Sequence, residues 1–160
     1  MERHPFPAVW DQNSRILILG SFPSVKSREA NFYYGHPKNR FWQVLSGLFG
    51  CGTPGTIPEK RALLSAYGIA LWDVLAACEI TGSSDASIKR PVPNDLAAYF
   101  AKFPVRAVFL NGATAHRLYV RYACLPEQVP AIRLPSTSPA NAQFSLPKLM
   151  DAWKVVLDYV

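Results

Sequence analysis

The chain has 160 residues, 49% of them hydrophobic and 18% charged, with a formal net charge of +6. That length and balance give a single domain, residues 1–160, with a core of its own, and exclude a disordered chain or a disulfide-stapled miniature. The positive charge favours an anionic partner, nucleic acid among them. No window approaches the roughly 20 apolar residues of a membrane span.

Cys51, Cys78 and Cys124 are scattered without a C-x-x-C spacing. Neither a disulfide framework nor a zinc or iron–sulfur site is expected from them, and they read as small core residues in a reducing compartment. The start, Met1-Glu2-Arg3-His4-Pro5, lacks an apolar run behind basic residues, so the expectation is a cytoplasmic protein without a membrane partner.

In chain order, RILILG (15–20) is a buried strand that ends in Gly. RFWQVLSGLFG (40–50) spaces Phe41, Val44, Leu45 and Leu48 as one helical face, with Gly50 as its C-cap. Pro58 opens a second helix to about Ala66, and Gly68 closes it. IALWDV (69–74) is a strand. Asn94-Asp95 caps the helix LAAYFAKF. VRAVFLNG (105–112) is a strand and ATAHRLYVRYA the helix after it. AIRLP (131–135) is the fourth strand, and SLPKLMDAWKVVLDYV (145–160) a closing helix. Strands alternating with helices predict an α/β fold: a four-stranded parallel central sheet with helices on both faces.

Ligands of such sheets gather at the carboxyl ends of the strands. Those ends carry GSFPS, WDVL, NGATA and PSTSPANA, and the aromatic–basic stretch NFYYGHPKNRFW (31–42) follows the first. Three function classes compete for this rim. A serine hydrolase would use Ser136 or Ser138 with His36 or His116, but there is no G-x-S-x-G elbow. A nucleotide binder would need a Walker A or G-x-G-x-x-G loop, and neither occurs. An enzyme acting on a base in DNA accounts for the charge, the stacking rings and the Ser/Thr/Asn-rich loop together.

The joint pattern ILGSFPS, HPKNRFW and LPSTSPANA resembles the uracil-DNA glycosylase superfamily. HPKNRFW is similar to a motif of mismatch-specific uracil and thymine glycosylases, and GSFPS to the hypoxanthine-DNA (deoxyinosine) branch. The resemblance implies a four-stranded parallel sheet and a monofunctional glycosylase in base excision repair. Its partner is DNA holding a deaminated base, and it acts as a monomer without metal, iron–sulfur cluster or other cofactor. Excision of uracil or thymine from mispairs with guanine is the alternative activity, and a non-catalytic nucleic-acid-binding domain the alternative class.

Carried over residue by residue, the resemblance implies these roles. With the relatives' motif-one amide replaced by Phe22, Asn39 is the nearest substitute to hold the attacking water, and His36 bonds a phosphate or the departing base. Tyr34 takes the place of the Phe that stacks on uracil. Ser21 and Phe22 wall the base, and Phe22 stands where relatives carry a water-holding Asn or Asp. Asp73 takes the place of a uracil-reading Asn. Lys38 and Arg40 meet phosphates, and Ser136, Thr137 and Ser138 grip the backbone beside the flipped nucleotide. Pro139 and Ala140 form the tip where relatives push a Leu wedge into the stack. Asn111 is a further amide at the rim, or the cap of the helix after it. Hypoxanthine (O6 acceptor, N1–H donor) and uracil (O4 acceptor, N3–H donor) present the same edge, so the preference for hypoxanthine rests on GSFPS and on the missing motif-one amide.

Overall fold

The computed structural model describes residues 1–123 and 125–160. The strands are β1 (Glu2–Arg3), β2 (Ile16–Gly20), β3 (Ile69–Asp73), β4 (Leu75–Glu79), β5 (Lys89–Pro93), β6 (Ala107–Asn111) and β7 (Ala131–Leu134). The helices are α1 (Val25–Ala30), α2 (Phe41–Phe49), α3 (Ile57–Tyr67), α4 (Leu96–Lys102), α5 (Ala113–Tyr122) and α6 (Leu146–Trp153). Four strands form the expected parallel sheet, in the order β3-β2-β6-β7. Every residue of β2 and β3 is buried, as expected of apolar strands covered on both faces. Parallel register sets Gly20 beside Asp73 and Asn111 beside Leu134, so the strand ends meet at one rim.

The predicted helix boundaries follow their caps. Thr56 accepts from the Glu59 N–H at the start of α3, Asp95 from Ala98 at α4, and Ser145 from Lys148 at α6. Gly50 and Gly68 close α2 and α3 in the left-handed region, φ 65° and 68°. The predicted closing helix is shorter than its periodicity implies: α6 stops at Trp153 and a 3-10 turn takes Lys154–Asp158.

A second sheet, β1-β4-β5, is antiparallel and was outside the sequence expectation. Its edge strand β5 reads KRPVP and is largely exposed, and its prolines cannot donate to a ladder, so no apolar alternation marks it. The sequence also gives no sign of α1, which Ser24 caps. Cys78 is buried as expected; Cys51 is exposed, on the turn after α2, and Cys124 lies outside the described residues.

The aromatic–basic stretch divides by burial. Phe32, Tyr33, Phe41 and Trp42 are core, and Phe41 is packed between Tyr34 (centroids 4.0 Å, stacked) and Trp153 (6.0 Å, edge-on). Burying such a ring is worth about 1.5–3 kcal/mol, so these residues anchor the loop that carries His36, Lys38 and Asn39. No helix among the described residues is long and apolar enough to cross a membrane.

Candidate active site

A pocket of about 120 Å³ opens at the carboxyl ends of the parallel strands. Ser21, Phe22, Tyr34, Asn39, Asp73 and Thr137 all line it, together with Asp85 and Asn111. Residues far apart in sequence therefore meet where the strand ends meet.

The floor is Gly20, Asp73 and Tyr34. Gly20 is glycine for want of space: a Cβ there would stand 2.5 Å from Asp73 Oδ1 and 3.3 Å from the Tyr34 hydroxyl. Asp73 is buried, and its Oδ2 lies 2.7 Å from His4 Nε2. Oδ1 takes no hydrogen bond among the described residues. The Asn94 amide fixes the Asp73 carbonyl at 2.8 Å. Tyr34 has φ 52°, a left-handed conformation that costs a non-glycine residue about 1 kcal/mol or more and tends to gather at functional sites. Its hydroxyl is buried without a partner in hydrogen-bond geometry. The neighbouring Asn111 amide is committed to Thr137 through both ends, at 3.0 and 3.1 Å. Burial first, and then the Asp73 charge, push the Tyr34 phenol far above its ordinary pKa, so it stays a hydrogen-bond donor.

At the mouth, Ser21 donates to Asp85 Oδ1 at 2.9 Å. Asp85 is exposed as a residue, but its carboxyl turns in toward the pocket. Desolvation there, and then the Asp73 charge, raise its pKa; the Ser21 bond, Arg117 and Thr114 oppose the rise.

The rim is a set of tied turns. Asn39 Oδ1 accepts from the Phe41 N–H at 2.9 Å, which caps α2 and fixes the amide in the pocket wall. His36 Nδ1 accepts from the Lys38 N–H at 3.0 Å, and its carbonyl from Asn39. His36 thus shapes the turn and does not line the pocket. Lys38 is exposed and free to reach a phosphate. For Arg40 the sequence predicts a phosphate contact, but the structure turns its guanidinium inward, onto the carbonyls of Ser138 (2.9 Å), Asn141 (3.1 Å) and Phe144. Arg40 N–H also reaches Thr137 O at 3.1 Å. A planar fork with several donors suits three converging carbonyls, and the residue ties the 135–144 loop to α2.

That loop is also bonded within itself. Ser136 Oγ accepts from Ser138 N and Ser138 Oγ from Ala140 N, each at 3.1 Å. The predicted phosphate grip by the Thr137 side chain meets a different geometry: the residue is fully buried against Asn111. Asn111 caps no helix, since α5 begins after Gly112 without a side-chain cap. Pro139 and Ala140 are exposed at the tip. Neither Ser136 nor Ser138 bonds a histidine among the described residues, so the serine-hydrolase alternative has no nucleophile–base pair here.

Sequence reasoning missed two residues, His4 and Asp85. Each acts through a partner more than sixty residues away, at separations of 69 and 64. A lone His before a Pro and an Asp in a Ser-rich turn carry no local signal of such a partner. Among the described residues no group of three or more His, Cys, Asp or Glu side chains is placed to hold a metal ion. The site offers a donor and an acceptor at the floor, an aromatic wall at Phe22 and a fixed amide at the rim. These groups can hold a flat, polar-edged ring and place a water beside it.

The sequence model of the uracil DNA glycosylase superfamily matches residues 7–157. A protein from Methanosarcina acetivorans named hypoxanthine DNA glycosylase is 36% identical over 155 residues, covering 91% of this chain and 92% of the relative. One of the same name from Methanosarcina barkeri is 36% identical over 114 residues, 70% of this chain and 72% of the relative. The solution NMR structure of a candidate uracil DNA glycosylase from Methanosarcina acetivorans superposes with a TM-score of 0.78 at 31% identity, covering 97% of this chain and 98% of that one.

Proposed function

The chain belongs to the uracil DNA glycosylase superfamily, and we propose that it is a monofunctional DNA glycosylase that releases hypoxanthine from deoxyinosine. One observation carries the class of base edge. The Tyr34 hydroxyl, a donor, and Asp73 Oδ1, an acceptor, converge over Gly20. A 6-oxopurine offers them its O6 and N1–H. Adenine inverts that code and would leave buried partners unpaired, a mismatch that can reach about 10⁴–10⁵ in discrimination. Uracil presents the same code on a smaller ring. The names of the two relatives, and Phe22 at the place of a water-holding amide, favour hypoxanthine.

The enzyme flips the nucleotide out of the stack, at a cost of a few kcal/mol that is least at a mispair. Tyr34 reads the base edge through its hydroxyl while one face of its ring rests on Phe41. Phe22 and Ser21 flank the base. Asn39 Oδ1, held by the Phe41 N–H, keeps a second lone pair for the attacking water. As the bond from base to sugar carbon loosens, its electron pair leaves with the base, the water oxygen bonds to that carbon and gives up a proton, the departing base takes up a proton, and an abasic site remains. No lysine lines the pocket among the described residues, which supports water as the nucleophile over a Schiff base. Lys38, the Ser136–Ser138 backbone and the tip at Pro139 and Ala140 face the strand. Arg40 and His36 serve by holding these turns in place.

The test is release from labelled duplexes holding hypoxanthine, uracil or thymine opposite each of the four bases, with abasic sites then cleaved by alkali. Hypoxanthine release in the presence of a chelator is the expected result. Release of uracil or thymine alone, opposite guanine, would move the protein to the mismatch-specific branch, and no abasic product from any duplex would overturn the glycosylase reading.

A further inference from the structure

We infer that His4 sets the base choice of this site by holding Asp73 so that the pocket is offered one carboxylate oxygen and not two, which admits hypoxanthine and turns guanine away. The inference rests on the glycosylase reading above. Hypoxanthine and guanine share O6 and N1–H and differ by the N2 amine of guanine. N1–H and N2–H are parallel donors, and a carboxylate that faces them with both oxygens meets them as a matched pair. A buried aspartate free to turn is therefore a reader of guanine. Guanine is an ordinary base of DNA, so an enzyme that cuts beside a 6-oxopurine must not read it.

The terminal torsion of an aspartate is broad and only weakly fixed by its own chemistry. Here it is fixed from behind. His4 Nε2 lies 2.7 Å from Asp73 Oδ2, and both side chains are 5% exposed. A carboxylate accepts, and Nε2 donates to it in the tautomer that makes this bond. His4 is itself held. Its N–H donates to Ala76 O at 2.8 Å, which extends the β1–β4 pairing. Its ring packs edge-on against Phe6 at 4.6 Å and Phe22 at 6.0 Å, and tilted against Tyr33 at 5.8 Å. The ring does not line the pocket; it stands behind Asp73. Oδ2 is drawn back and Oδ1 remains over Gly20. An N2 amine beside Oδ1 would lack the second Asp73 oxygen that completes the matched pair, and a donor buried without its partner is costly. His4 also precedes residues 7–157, the segment that matches the superfamily.

The experiment compares the wild type with His4→Phe, which keeps the ring and removes the donor, and His4→Gln, which keeps an N–H donor at similar reach. Each is incubated with duplexes holding hypoxanthine or guanine opposite thymine, and the released bases are separated and identified. Loss of the donor should slow hypoxanthine release and raise the guanine-to-hypoxanthine ratio by about tenfold or more. His4→Gln should keep the ratio near wild type. A merely structural His4 would lower both rates together and leave the ratio alone, and that result overturns the inference, as does an equal rise in both variants. If melting shows that His4→Phe does not fold, His4→Asn, whose amide is too short to reach, carries the same expectation. A wild type that releases no hypoxanthine overturns the functional reading; a wild type that does, beside an unchanged ratio in the variant, overturns only the role of His4.

Discussion

The floor of the pocket and its rim are built in opposite ways. The floor is made by register: Gly20 and Asp73 are partners across two buried strands, and His4 reaches them from another sheet. Nothing there can shift without disturbing the core. The rim is made of short turns bonded within themselves, Asn39 to Phe41 and His36 to Lys38, and of the 135–144 loop, which Arg40 and Asn111 tie down. Recognition of a base edge requires donors and acceptors at fixed separations, which a sheet supplies. Catching a flexible strand and placing a water can be done by anchored loops. The division also says where substitutions should alter rate, where they should alter choice, and where they should alter grip.

The largest effect is expected at the rim. Asn39→Ala should lower single-turnover excision by about 10²–10³, the usual loss for a preorganised polar group, while DNA affinity changes little. It should also lower the melting temperature, because the lost Phe41 cap is worth about 1 kcal/mol. Asn39→Asp, which keeps an oxygen for the water and for Phe41, should retain activity. A lowered melting point beside a normal rate in the folded fraction would reduce Asn39 to a cap.

Next comes the floor. Gly20→Ala forces a methyl against Asp73 Oδ1 and the Tyr34 hydroxyl. A displacement of that order can cost about 10² in rate. The loss should fall on hypoxanthine and uracil alike, since both present the same edge. Normal excision by this variant would mean that the base does not sit over Gly20.

Smaller effects separate the two cations of the rim. Arg40→Met leaves three carbonyls of the 138–144 segment without their donors and should destabilise the protein by about 1.5–3 kcal/mol, with weaker DNA binding as a consequence of the loosened loop. Lys38→Ala should leave the melting temperature unchanged and lower the slope of log affinity against log salt by about one. If Arg40→Met changes the salt slope and not the melting point, Arg40 faces phosphate in the complex.

What could be read in the sequence follows the same division. The parallel strands were legible because ILIL and IALW are unbroken apolar runs, and the helix ends because Gly50, Gly68, Pro58 and Asp95 mark them locally. The pocket members Phe22, Tyr34, Asn39 and Asp73 were legible because each sits in a short motif at a strand end or in the segment after it. The antiparallel sheet was not, since a two-residue strand and KRPVP have no pattern that distinguishes them from loop. With that sheet went His4, and with the turn between its strands went Asp85. Arg40 was legible as a cation but not as a clamp, because its carbonyl partners are backbone groups about a hundred residues away that no side-chain identity announces.

The smallest effect is expected at the mouth, where Asp85 joins floor and rim through Ser21. Its carboxyl is raised above the ordinary range by burial and by the Asp73 charge. A carboxyl raised in the folded state favours folding while it is protonated and loses that advantage as pH rises through its folded pKa. At neutral pH the ionised Asp85 is therefore a small burden on the fold. Asp85→Asn keeps an oxygen for the Ser21 hydroxyl and removes the charge. The variant should melt slightly higher than wild type at neutral pH. The gap should shrink as pH falls through the raised pKa and close below the ordinary carboxylate value, about 3.9, where both forms are neutral in the folded and unfolded states. Melting curves of the two proteins across that range read the sign directly. A variant that melts lower at neutral pH would mean that Arg117, Thr114 and Ser21 together outweigh desolvation, and that the mouth, like the rim, is held by its own bonds.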